Sequence, residues 1–111
     1  MSTLSTHVLD TSLGRPASGV RVLLERVDAT GSVVVGGGMT DANGRLTDIA
    51  SASLTAGTYR LRFDVAEYFA RSGRPAPFPE VSVAFVVSAG DEHYHIPVLL
   101  SPFGYTTYRG S

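Results

Sequence analysis

Cysteine is absent from this chain of 111 residues, so no disulfide staples the fold and no thiolate metal site is available. That absence suits any compartment and argues only weakly for the cytoplasm. An excess of charge of one sign is missing too: nine basic side chains face ten acidic ones, for a net charge of −1. Such a balance offers no electrostatic footing for nucleic acid, which needs a basic face or stripe. No apolar run approaches the ~20 residues that span a bilayer. The opening Met1-Ser-Thr-Leu-Ser-Thr-His7 has neither a basic n-region nor an apolar h-region, so no secretion signal is read there. Internal repeats, low-complexity tracts and linkers are also lacking. The expectation left standing is a soluble, cytoplasmic, single-domain protein over residues 1–111, long enough for one core and too short for two.

What is present is a succession of short alternating segments. Leu4 to Leu9 reads as a first strand with Ser5, His7 and Leu9 on one face, followed by a turn-rich connection from Asp10 to Gly19. Val20 to Val27 alternates Val20, Val22 and Leu24 against Arg21, Leu23 and Glu25. A turn at Asp28–Gly31 leads into a short strand from Ser32 to Val35, which the Gly36–Gly38 run is expected to break or bulge. Thr40 to Gly44 is another turn, with Asn43-Gly44 tolerant of positive φ, and Arg45 to Ile49 is either a brief strand or a loop. Thr58 to Val65 alternates most cleanly, and Ala66 to Arg71 is the one helix expected. Arg74 to Pro79 contains three prolines and is excluded from regular structure. Val81–Val87, His93–Leu100 and Tyr105–Tyr108 complete the strands, a spacing that indicates an all-β sandwich.

The C-terminal stretch is unusually rich in information for a chain end. From His93 to Ser111 it holds three Tyr, an Arg and two His around an apolar Ile96–Leu100 run. As a strand, it places His93, His95, Pro97 and Leu99 on one face, and Tyr94, Ile96, Val98 and Leu100 on the other, toward a core. Each polar residue also has a plain structural explanation. His7 suits a half-buried strand histidine satisfied by a backbone carbonyl. His93, beside Asp91-Glu92, suits an exposed strand mouth, whereas His95 lies deeper among apolar neighbours. Arg45 suits an ordinary surface arginine, and Arg109 a salt bridge or a cation–π contact with the tyrosines.

The segment HYHIPVLLSPFGYTTYRGS closely resembles the C-terminal signature of the transthyretin-related 5-hydroxyisourate hydrolases, which end in Tyr-Arg-Gly-Ser. Leu4 to Val22 (LSTHVLDTSLGRPASGVRV) resembles that family's N-terminal signature, and Asp41-Ala-Asn-Gly-Arg45 its central arginine motif. The blocks lie in family order, so the resemblance covers essentially the whole chain. It implies two four-stranded sheets with one short helix, and hydrolysis of the cyclic amide of 5-hydroxyisourate. The functional positions of the family fall on His7, Arg45, His95 and Ser111, with Tyr108 and Arg109 implied to shape or line the pocket. None of these positions departs from the pattern.

The residue types suit the implied reaction. Water needs a base of near-neutral pKa and the departing nitrogen needs a proton, and histidine serves either role. A forked arginine such as Arg45 can clamp a planar, carbonyl-rich substrate and stabilise oxyanion charge. Ser111 offers a hydroxyl and a terminal carboxylate, and no nucleophile elbow accompanies it. A zinc site built on His7, His93 and His95 is the competing chemistry, but the resemblance implies no metal and no other cofactor. It also implies a homotetramer, whose clefts between subunits would enclose a site that a small sandwich cannot enclose alone. Transthyretin-like carriers share the fold but lack the matching His, Arg and Tyr-Arg-Gly-Ser set, and a structural β-sandwich module is the third alternative.

Overall fold

The computed structural model describes residues 2–50 and 53–111. Two sheets pack face to face. The first has the order β2 (Arg15–Pro16), β1 (Thr3–Asp10), β8 (His93–Ser101), β9 (Gly104–Thr107), with β5 (Arg45–Leu46) also paired to β1. The second has the order β4 (Gly31–Met39), β3 (Arg21–Asp28), β6 (Gly57–Asp64), β7 (Glu80–Val87). One helix, α1 (Val65–Arg71), follows β6. The expected all-β sandwich is what the chain forms. Its first sheet carries five strands rather than four, because the two-residue β5 is added to β1.

Alternation decides which side of each strand enters the core. Leu4, Val8, Tyr94, Ile96, Val98 and Leu100 from the first sheet meet Val22, Leu24, Tyr59, Leu61 and Phe63 from the second. Helix α1 starts at Val65, one residue earlier than its pattern suggests, because Asp64 caps it by accepting from the Glu67 N–H. Val65 and Phe69 are its buried residues.

The Gly36–Gly38 run does not end its strand. An irregularity does occur there: consecutive Leu24 and Glu25 of β3 lie opposite Gly36 and Val34, so β4 carries one extra residue between them. Beyond it β4 continues to Met39, with the glycines paired to Leu24, Leu23 and Val22. Their missing side chains serve a crossing. A Cβ on Gly36 would collide with the Ile49 carbonyl oxygen, and one on Gly38 would sit 2.9 Å from Leu46 Cδ1. The segment from Arg45 to Ala50 is thereby free to lie close against β4.

Central to the first sheet is the pairing of β1 with β8. It is parallel and in register from Thr3 opposite His93 to Asp10 opposite Leu100. Thr3, Ser5 and His7 therefore share one face with His93, His95 and Pro97, on the side away from the core.

Candidate active site

Three of the sequence-predicted residues meet on that outward face. His7 lies on β1 opposite Arg45 of β5, and His95 lies on β8 opposite Ser5, two residues from His7 along β1. Arg45 reaches this place through a tight loop. The Asp41 carboxylate accepts from the N–H groups of Asn43 and Arg45 at 2.8 and 3.0 Å, and these contacts hold its pKa below the ordinary range. Gly44 has φ +75°, and a Cβ there would strike the Val8 carbonyl oxygen, so only glycine lets the loop close onto β1. The loop also presents the Asn43 carbonyl to His7, whose Nε2–H donates to it at 2.9 Å. That bond fixes the His7 tautomer and leaves Nδ1 available.

His95 is half-buried. Burial lowers its pKa from the usual histidine value, and the nearby charges of Arg45, His7 and His93 lower it further. It is therefore a neutral imidazole at physiological pH, the form that accepts a proton. Its Nδ1 lies 2.8 Å from Ser5 Oγ. His93 is exposed, as its place at the strand mouth suggests, and it touches the same hydroxyl through Nε2 at 2.9 Å. Among the described residues, no group of three or more His, Cys, Asp or Glu side chains has the arrangement of a metal site.

The chain terminus folds back onto His95. Gly110 forms an isolated bridge with His95, its N–H donating to the His95 carbonyl at 2.7 Å. Ser111 follows, exposed, one residue beyond that anchor. Tyr108 is 54% exposed. Arg109 lies against its own chain, 3.2 Å from Glu92 Oε1 and 4.5 Å above the Tyr94 ring. Both contacts are the ordinary structural ones anticipated for it. Ser5, Thr3, Gly110 and the Asn43 carbonyl were not singled out by sequence, because only the pairing of distant strands brings them into contact with histidines.

The face is open in the single chain. A concavity of about 480 Å³ lies elsewhere, bordered by Arg21, Leu23, Arg62 and Glu80 on the second sheet. No helix among the described residues is long and apolar enough to cross a membrane.

The comparisons with known proteins converge. The family model described as HIUase/Transthyretin family matches residues 4–110. A 5-hydroxyisourate hydrolase of Caulobacter vibrioides is 45% identical, the match covering 100% of each chain. The solved structure of Klebsiella pneumoniae 5-hydroxyisourate hydrolase is 43% identical with a TM-score of 0.89, again over 100% of both chains. Sea bream transthyretin, solved in complex with thyroxine, is 32% identical with a TM-score of 0.90, covering 96% of this chain and 93% of that one.

Proposed function

The chain belongs to the HIUase/transthyretin family, and we propose that it is a hydrolase that opens the cyclic amide of 5-hydroxyisourate in purine breakdown, residues 1–111 acting as one domain. The observation that carries this reading is the assembly of His7, Arg45 and His95 on one sheet face, with the Tyr108–Ser111 terminus anchored to His95 through Gly110.

In this reading neutral His95 takes a proton from water as the oxygen attacks the ring carbonyl. The Arg45 guanidinium binds the carbonyl oxygens and stabilises the oxyanion that develops. The ring C–N bond then breaks, and the departing nitrogen takes a proton from an imidazole of the same face, His95 or His7. Ser111, by hydroxyl or terminal carboxylate, orients the water, and Tyr108 and Arg109 border the substrate. No step calls for a metal or another cofactor.

An open sheet face cannot exclude water by itself. A second copy laid across it would convert the face into a cleft, so the reading includes a homotetramer with its sites between subunits. It also includes a cytoplasmic setting, which fractionation of the native protein checks. The second reading is a small-molecule carrier, favoured by the close match to a transthyretin that binds thyroxine. Against it stands the concentration of titratable and cationic groups, His7, His95 and Arg45, which a reaction uses more fully than binding does. Ultraviolet absorbance of freshly generated 5-hydroxyisourate separates the two. Accelerated decay with the protein supports the hydrolase, and binding with an unchanged decay rate supports the carrier.

A further inference from the structure

Three contiguous side chains have no part in the chemistry above: Ser5, His93 and Thr3. Ser5 is only 7% exposed although it faces away from the core. The in-register pairing of β1 and β8 sets it opposite His95 and two residues from Thr3, the partner of His93. Its Oγ lies 2.8 Å from His95 Nδ1 and 2.9 Å from His93 Nε2. The remaining nitrogen of His93, Nδ1, lies 2.6 Å from Thr3 Oγ1. A continuous hydrogen-bonded chain thus runs from half-buried His95 to the exposed Thr3.

A hydroxyl has one proton to donate and a neutral imidazole has one N–H. Two arrangements satisfy the three contacts. In the first, His95 Nδ1–H donates to Ser5, Ser5 donates to His93 Nε2, and His93 Nδ1–H donates to Thr3, which leaves His95 Nε2 bare. In the second every donor is reversed, and His95 Nε2 carries the proton.

We infer that Ser5 is a positioning residue that couples His95 to His93 and Thr3, so that His95 alternates between base and acid without becoming charged. This inference rests on the hydrolytic reading. When His95 Nε2 takes a proton from the attacking water, its Nδ1 proton passes to Ser5, the Ser5 proton to His93 Nε2, the His93 Nδ1 proton to Thr3, and the Thr3 hydroxyl proton to solvent. One proton enters and one leaves, and no electrons change hands. His95 Nε2–H then gives its proton to the departing nitrogen as the C–N bond breaks, and the shifts run back, drawing one proton from solvent at Thr3. The surroundings explain the need. Arg45 lies beside His95, so a full imidazolium there would meet its guanidinium charge in a partly desolvated place.

The test uses the full chain with Ser5→Ala, Ser5→Thr, His93→Asn and the Ser5→Ala/His93→Asn double variant. Ser5→Ala and His93→Asn should each lower kcat about tenfold with KM unchanged, and the double variant should fall no further, because both cut one chain. Ser5→Thr keeps the hydroxyl and should keep kcat. Nitrogen-15 NMR of the substrate-free protein reads which His95 nitrogen carries the proton. That pattern should change in Ser5→Ala and in His93→Asn and be restored in Ser5→Thr. Losses that multiply to about a hundredfold in the double variant overturn the coupling, as does an unaltered His95 pattern in Ser5→Ala. Should Ser5→Ala fail to fold, an unaltered His95 pattern in the exposed-site variant His93→Asn overturns it equally. The NMR result needs no substrate, so a wild-type protein inert toward 5-hydroxyisourate would refute the hydrolytic reading separately.

Discussion

Replacing Gly110 with alanine should disable the site while leaving the fold in place. The φ of Gly110 lies outside the left-handed region, so alanine carries no backbone penalty there. Its difficulty is contact. The added Cβ would stand 2.7 Å from His95 Cδ2 and 3.4 Å from Pro97 Cγ, whereas carbon atoms prefer separations of about 3.5–4.0 Å. Something must move by about 1 Å. The imidazole cannot swing aside without lengthening its 2.8 Å bond to Ser5, and the terminus cannot retreat without loosening its 2.7 Å bond to the His95 carbonyl. A misplacement of about 1 Å near a reacting centre can cost about 10²-fold in rate, or about 2.7 kcal/mol in the barrier. The stability at risk is one backbone hydrogen bond, about 1 kcal/mol, or roughly 4–8 °C in Tm for a domain near this size. Ultraviolet decay of 5-hydroxyisourate should therefore show kcat reduced about a hundredfold in a protein that still melts cooperatively. A folded Gly110→Ala variant with wild-type kcat would refute the placement of the terminus against His95.

His95→Asn should lower kcat by roughly 10²–10⁴, the range of general acid–base catalysis, and His93→Asn by no more than about tenfold; the reverse order in steady-state kinetics would sink the assignment. Asp10→Asn should destabilise the fold by about 3–5 kcal/mol in denaturant melts, because the fully buried carboxylate is paired with Arg74 at 2.6 Å. Burial alone would raise the Asp10 pKa, but hydrogen bonds from Arg74, Ser12 and Tyr68 outweigh it and hold the carboxyl far below its unfolded value. Its stabilisation is then fully present above about pH 4 and is lost as pH falls through that value toward the native pKa, so the variant's stability should fall less steeply in acid. Small-angle scattering should report a particle of about four times 11.7 kDa; an active monomer at micromolar concentration would remove the intersubunit cleft from the reading.

The sequence was most legible where side chains alternate. The facing of Tyr94, Ile96, Val98 and Leu100 into the core, and of His93 and His95 away from it, follows from period two and is what β8 shows. The Gly36–Gly38 run marks a bulge, one of the two outcomes expected of it, and not a strand end, because the glycines make room for Ile49 and Leu46. The two-residue β2 carries too little pattern to be seen, and Arg45 to Ile49 reads equally as a brief strand or a loop, yet β5 is what sets Arg45 beside His7. Glu25 looks like a surface residue of an alternating strand. It keeps the outward face that alternation gives it, opposite Arg60, yet is only 6% exposed with its carboxylate bonded to Arg60 and Arg62; hydrogen bonding to Arg60 leads the lowering of its pKa and Arg62 adds to it. The motif blocks pointed to His7, Arg45, His95 and the terminus, but not to Ser5, which gains its place only from a strand about ninety residues away.

The parallel pairing of β1 with β8 also sets a clock on the protein's birth. Ser5 and His95 are separated by 90 residues, and β1 finds its partner only after that whole intervening stretch has been made. At about 5–20 residues per second, that strand waits on the order of 5–20 s on the ribosome with its apolar face, Leu4 and Val8, uncovered. Closing so long a loop before any contact rewards it makes the first sheet a late and slow event. The second sheet, built from successive antiparallel strands, can assemble earlier and offer Leu61 and Phe63 as a surface against which the waiting strand shelters.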